Sequence, residues 1–172
     1  GYSLDGSSMV ITRYLGASWL WDKIRVQGGA YGAFCSFDSF SGVLTFSSYR
    51  DPNIHSTLEI FDSCGHFLRE LRLSEDELSK AIIGAVGDLD AYQLPDAKGN
   101  TSLMRYIIGV DDTYRQEVRD QVLGTTSKDF SDFADVLDMA ARNGVTAVMG
   151  GEWAINEANS KQSDFLRKVK II

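Results

Sequence analysis

Apolar residues at Val10, Tyr14, Ala17, Trp21 and Ile24 recur at helical spacing, and Ile11, Leu15, Trp19 and Leu20 widen the stripe. The pattern predicts a largely buried helix, capped at Ser7 or Ser8 and running to about Arg25. Gly28-Gly29 ends it. Period-two alternation then predicts strands over 30–37 and 43–49, joined by a turn at Asp38-Ser39-Phe40-Ser41-Gly42. Tyr31, Ala33, Cys35 and Phe37 share one face of the first strand. Ala30, Gly32, Phe34 and Ser36 share the other, whose start is nearly bare.

Asp51-Pro52-Asn53 signals the start of an amphipathic helix that carries Ile54, Leu58, Phe61, Gly65 and Leu68 to about Leu71. Ser74-Glu75-Asp76-Glu77 reads as a capping box for a helix reaching about Asp90. Residues 91–99 read as an ordered loop, followed by short helices near 101–109 and 111–123. Thr126 or Ser127 caps a helix to about Arg142, closed by Asn143-Gly144. Val145 to Met149 reads as a short apolar strand. A last helix near 152–160 precedes the basic tail Arg167-Lys168-Val169-Lys170. The fold class is α+β, an antiparallel sheet packed against several helices. Three short strands make a thin sheet for so many helices, so further strands are expected upstream of Gly1.

With 172 residues, 44% of them apolar, the chain suits a single domain with a substantial core. A net charge of -7 argues against nucleic acid as a partner. No apolar run approaches the roughly 18 residues of a membrane span. Residues 1–30 lack the basic start and apolar block of a signal peptide, so a targeting segment is absent or belongs to a longer precursor. Cys35 and Cys64 are too few for a disulfide scaffold and read as buried thiols in a reducing compartment. His55 and His66 sit eleven residues apart on one predicted helix, about 16 Å along its axis, and cannot share a metal. Glu75-Asp76-Glu77 and Asp111-Asp112 read as solvated helix starts. Asp88, Asp90 and Asp96 lack the calcium-loop pattern. The sequence supplies no metal motif and no nucleophile-base arrangement.

Candidate chemistry concentrates in Arg25-Val26-Gln27-Gly28-Gly29-Ala30-Tyr31-Gly32. It places a guanidinium and a phenol six positions apart around two glycines. One reading is structural: Arg25 complements the negative end of its helix, and Tyr31 is a half-buried strand residue. The other is functional. Arg25 and Tyr31 would hold the carbonyl oxygens of a bound peptide or a developing oxyanion, while Gly28 and Gly29 let substrate backbone approach. A phosphate cradle is excluded by order, because nucleotide loops run strand, glycines, helix, and this one starts from a helix.

The stretch Ser18-Trp19-Leu20-Trp21-Asp22-Lys23-Ile24-Arg25-Val26-Gln27-Gly28-Gly29-Ala30-Tyr31-Gly32 resembles the C-terminal signature of presequence proteases. These belong to the pitrilysin-like clan of zinc peptidases, the inverzincins. Phe46-Ser47-Ser48-Tyr49-Arg50-Asp51-Pro52-Asn53, Lys80-Ala81-Ile82-Ile83-Gly84 and the run from Asp88 to Gly99 extend the resemblance over nearly the whole chain. It implies a pitrilysin/LuxS-like metallohydrolase domain, with residues 1–172 the C-terminal portion of the last domain of a four-domain peptidase. Such proteins close like a clamshell around a chamber. Zinc and the general base belong to the N-terminal half, outside this chain, and the last domain contributes an Arg and a Tyr that Arg25 and Tyr31 match. Implied substrates are unfolded targeting peptides and other short peptides. The implied partners are the remaining domains, and the implied location is the mitochondrial matrix or chloroplast stroma. The acidic balance suits a chamber receiving basic peptides. This portion alone is expected to bind no zinc and to be inactive. The alternative is an enzyme-dead, peptidase-like structural subunit of an organellar complex.

Overall fold

In the computed structural model, residues 5–38, 41–161 and 165–169 are described. The order is α1 (Ser7–Ala17), a π-helical turn (Trp21–Gln27), β1 (Gly32–Asp38), β2 (Val43–Tyr49), α2 (Ile54–Asp62) and α3 (Cys64–Glu70), then α4 (Glu75–Leu89), α5 (Pro95–Ile108), α6 (Asp112–Leu123), α7 (Ser127–Asn143) and α8 (Glu152–Lys161). This is α+β, rich in helix, with one small antiparallel sheet among the described residues.

The first helical stretch organises the core. Val10, Ile11, Leu15, Leu20 and Ile24 are fully buried, and α1 packs against β1, α4, α6 and α7. Phe130, Phe133, Ala134 and Leu137 of α7 and Leu68 of α3 close that core. Tyr14 meets Phe130 edge-on at 5.5 Å, and Trp19 stacks on Phe67 at 4.4 Å.

The stretch is not one α-helix to Arg25. The α-helix ends at Ala17, where the Ser18 hydroxyl donates to the Tyr14 carbonyl at 2.6 Å, and the chain resumes as a π-turn. The face carrying Ala17 has left the core by the end of that α-helix, since Ala17 is exposed. Leu20 and Ile24 stay inside, while Trp21, expected on the buried stripe, is 47% exposed. The expected serine cap is also displaced. The helix starts at Ser7, and the Asp5 carboxylate accepts the Ser7 N–H at 2.8 Å.

β1 and β2 pair antiparallel, with Gly32 opposite Tyr49, Cys35 opposite Phe46 and Phe37 opposite Leu44. Phe46 stacks on Phe61 of α2 at 5.1 Å, tying the sheet to the helices. Ser39 and Phe40 of the expected turn lie outside the described residues. Gly42 has φ 69°, a left-handed conformation that suits glycine.

The helix expected from Asn53 to Leu71 is two helices, parted at Ser63, whose hydroxyl donates to the Ile60 carbonyl at 2.8 Å. His55 and His66 therefore lie on different helices, beside Glu59 and Glu70 respectively, each at 3.3 Å. The capping box at Ser74 and Glu77 is present, and Thr126 with Asp129 forms a second. Pro95 opens α5, so residues 95–99 are helix rather than loop. Val145 to Met149 is not a strand. It lies alongside no sheet, with Val145 97% and Met149 93% exposed. An apolar run becomes a strand only when another strand takes its hydrogen bonds, and none among the described residues does.

Candidate functional site

The loop from the π-turn to β1 is built by short-range geometry. Gly29 is left-handed at φ 78° and reverses the chain, closed by Gly29 N–H to the Arg25 carbonyl and Ala30 N–H to the Ile24 carbonyl, both 3.1 Å. At Gly28 a Cβ would stand 2.6 Å from the Ile24 carbonyl oxygen, so the helix end itself requires glycine there. Asn53 Nδ2 donates to the Gly28 carbonyl at 2.5 Å and ties this loop to the start of α2. The Asp51 carboxylate in turn accepts the Asn53 N–H at 2.8 Å and the Thr57 hydroxyl at 2.6 Å.

The reversal brings Arg25 and Tyr31 to one groove of about 410 Å³, lined also by Thr12, Gly16, Trp21 and Phe34. Gly28 and Gly29 are not part of its lining. Gly29 is exposed, and the nearest atom to a Cβ there would be Pro52 Cγ at 3.9 Å. The face expected to be bare at Gly32 is covered. The Phe34 ring folds over it, and a Cβ at Gly32 would meet Phe34 Cζ at 2.9 Å.

Tyr31 is 65% exposed, not half-buried. Its N–H donates to the Tyr49 carbonyl at 3.1 Å, extending the sheet by one bond. Its ring meets Tyr49 edge-on at 5.9 Å, and the Arg50 guanidinium lies 5.8 Å from the Tyr31 ring and 5.3 Å from the Tyr49 ring. The Arg25 guanidinium lies 3.8 Å over the Trp21 ring. Trp21, Arg50 and Asn53 were not singled out from the sequence. The four-residue spacing of Trp21 and Arg25 was the available signal for the first.

The groove can donate hydrogen bonds and has little with which to take a proton. No histidine or carboxylate lines it among the described residues. Cys35, its one thiol, is pushed up to about 12 by burial and stays protonated near neutral pH. No three His, Cys, Asp or Glu side chains among the described residues gather as metal ligands would. Asp88 and Asp90 instead pair with Arg13 and Arg119, each at 2.7 Å. A larger cavity of about 880 Å³ lies between α1, α5 and α6. Four of its five charged side chains engage one another, Arg119 forking onto Asp90 and Arg115 meeting Asp112 at 2.7 Å, so it is a weaker candidate for chemistry.

A family model described as the PreP C-terminal domain matches residues 1–150. The chain belongs to that family. Over all 172 residues it is 49% identical to presequence protease 1, chloroplastic/mitochondrial, of Arabidopsis thaliana, covering 16% of that protein. It is 33% identical over 159 residues to the mitochondrial presequence protease of Emericella nidulans, covering 91% of this chain and 15% of that one. Protein HypA of Clostridium perfringens is 31% identical over 157 residues, with 91% and 16% covered. The chain thus spans about one sixth of the length of the curated relatives it matches. Arg25 and Tyr31 lie within the span that matches the PreP C-terminal domain.

Proposed function

We propose that this chain is the substrate-holding part of a zinc metalloendopeptidase that degrades unfolded targeting peptides and other short peptides. The observation that carries this reading is the convergence of Arg25 and Tyr31 on one groove, with no base and no ionised nucleophile beside them. The guanidinium donates to carbonyl oxygens of an extended substrate, and the phenol donates to the scissile carbonyl oxygen as it gains charge. Gly28 and Gly29 shape the loop between them, and exposed backbone at Gly29 leaves room for a substrate strand. The chain's own residues bind and orient but do not cleave.

In this reading zinc would be held elsewhere in the longer polypeptide and would supply an activated water there; no group of three metal-ligating side chains gathers among the described residues. The remaining domains are the partners, arranged as in a pitrilysin-like peptidase around a closing chamber. Closure over the groove would exclude water and strengthen both hydrogen bonds. The location in this reading is the mitochondrial matrix or chloroplast stroma; the names of the Arabidopsis and Emericella relatives support the organelle alone. No helix among the described residues is long and apolar enough to cross a membrane.

The test is made in the intact protease. Arg25→Ala and Tyr31→Phe should each cut peptide turnover at least about tenfold, a floor set well below the roughly 3–4 kcal/mol that a single oxyanion donor such as Tyr31 can contribute. Zinc content should stay unchanged. Near-normal turnover in both variants removes the assignment.

A further inference from the structure

Two side chains beside the groove have no task in that reading. Trp21 lines it with nearly half its surface exposed, and Arg50 holds a left-handed backbone at φ 48° against the rings of Tyr31 and Tyr49. Trp21 carries the stronger observation. The Arg25 guanidinium carbon stands 3.8 Å over its ring, a stacking distance, so the tryptophan face sets the guanidinium plane.

The manner of holding matters. Arg13, Arg69, Arg115 and Arg119 are each held by aspartate, which occupies their N–H groups. Among the described residues no carboxylate pairs with Arg25. Stacking uses the face of the guanidinium, whereas its five N–H donors lie in the plane and remain available. A carboxylate would fix the group equally well but compete with a substrate carbonyl for the same donors. Trp21 can stand under Arg25 because the two lie four residues apart on one helical face, and that face has left the core by Ala17, one turn earlier, which is exposed.

We propose that Trp21 is a positioning residue whose ring holds the Arg25 guanidinium toward the groove with its donors free for substrate. This rests on the substrate-holding role of Arg25 proposed above. Trp21 need not touch substrate, and its effect passes through Arg25.

The experiment measures kcat/KM on a fluorogenic peptide in the intact protease, for Trp21→Ala, Trp21→Leu, Trp21→Tyr, Arg25→Ala and the Trp21→Ala/Arg25→Ala double variant. Trp21→Ala should lower kcat/KM about fivefold, the size expected of a partly exposed cation–π contact. Trp21→Leu, which keeps apolar bulk but no ring face, should lower it as much. Trp21→Tyr should return it to within about twofold of the parent. In the Arg25→Ala background, Trp21→Ala should change nothing further. Parent-like activity in Trp21→Leu overturns the proposal, as does an equal loss from Trp21→Ala whether or not Arg25 is present. If Arg25→Ala is itself parent-like, the substrate-holding role falls and Trp21 has nothing to position. If Arg25→Ala is crippled but uncoupled from Trp21, only the tryptophan assignment falls.

Discussion

Replacing Gly65 with alanine tests whether the α3–α7 crossing sets the local stability of this chain. Gly65 is buried where α3 meets α7, beside Cys64, Leu68, Ala134 and Leu137. A Cβ there would stand 2.2 Å from Asp138 Oδ1 and 3.0 Å from the Ala134 carbonyl oxygen. The carboxylate could rotate, but its other oxygen accepts from Arg69 Nη2 at 2.6 Å. The carbonyl belongs to α7 and moves only with that helix. Overpacking of this kind costs roughly 1–3 kcal/mol. Against it stands a gain of about 0.5–1 kcal/mol from alanine over glycine inside a helix. The net is a loss of about 1 kcal/mol and at most about 2.5 kcal/mol, and each kcal/mol lowers the melting temperature of a chain of this length by roughly 2–4 °C. Gly87→Ala is the matched control. Gly87 also lies inside a helix, α4, and nothing lies within 4 Å of its Cβ position. It should melt about 1–4 °C higher than the parent. The assay is a far-UV circular dichroism melt, with amide hydrogen exchange reporting on α3 and α7. If Gly65→Ala melts at or above the parent, or if both variants shift equally, the crossing is looser than the geometry states.

Two further outcomes follow from titrating groups. The carboxyl of Asp138 is held below the ordinary carboxylate range chiefly by its hydrogen bond from Arg69; desolvation, the next largest effect, opposes this, and the Arg69 charge adds to the lowering. A folded-state value below the unfolded one gives stability that is present above the ordinary carboxylate range and lost as pH falls through the depressed one. The melting difference between the parent and Arg69→Met should therefore be constant from about pH 7 to 5 and shrink below about pH 4. A difference that persists undiminished at about pH 3 would show that Arg69 acts through packing alone. Burial pushes the thiols of Cys35 and Cys64 up, Cys64 further raised by Cys35 and Asp62. In the folded chain at about pH 8 neither should react with a thiolate-selective chromogenic disulfide, and both should react in denaturant. Rapid labelling of fully buried Cys64, or of half-buried Cys35 in the groove, under native conditions would contradict these raised thiols.

What the sequence by itself determined is what four or five consecutive residues can settle. The Ser74/Glu77 and Thr126/Asp129 boxes are self-contained sets of hydrogen bonds, and both helices begin where those residues stand. Alternation over 32–38 and 43–49 survives as paired strands because each strand finds the other across a short turn. The Arg25–Tyr31 spacing and the chain reversal at Gly29 are equally local. Tertiary structure decided the rest. Whether Val145 to Met149 becomes a strand depends on a partner elsewhere in the chain, and among the described residues none pairs with it. Trp21 sits on the expected core stripe yet lines the groove, because that face has left the core by Ala17, which is exposed, and the apolar spacing does not encode where the core ends. That Arg25 and Tyr31 line the same groove, while Phe34 covers Gly32, depends on how the end of one helix sits against the start of one strand. Caps and alternation are written in nearest neighbours. The direction a side chain takes at an element's end is fixed by packing between segments far apart in sequence.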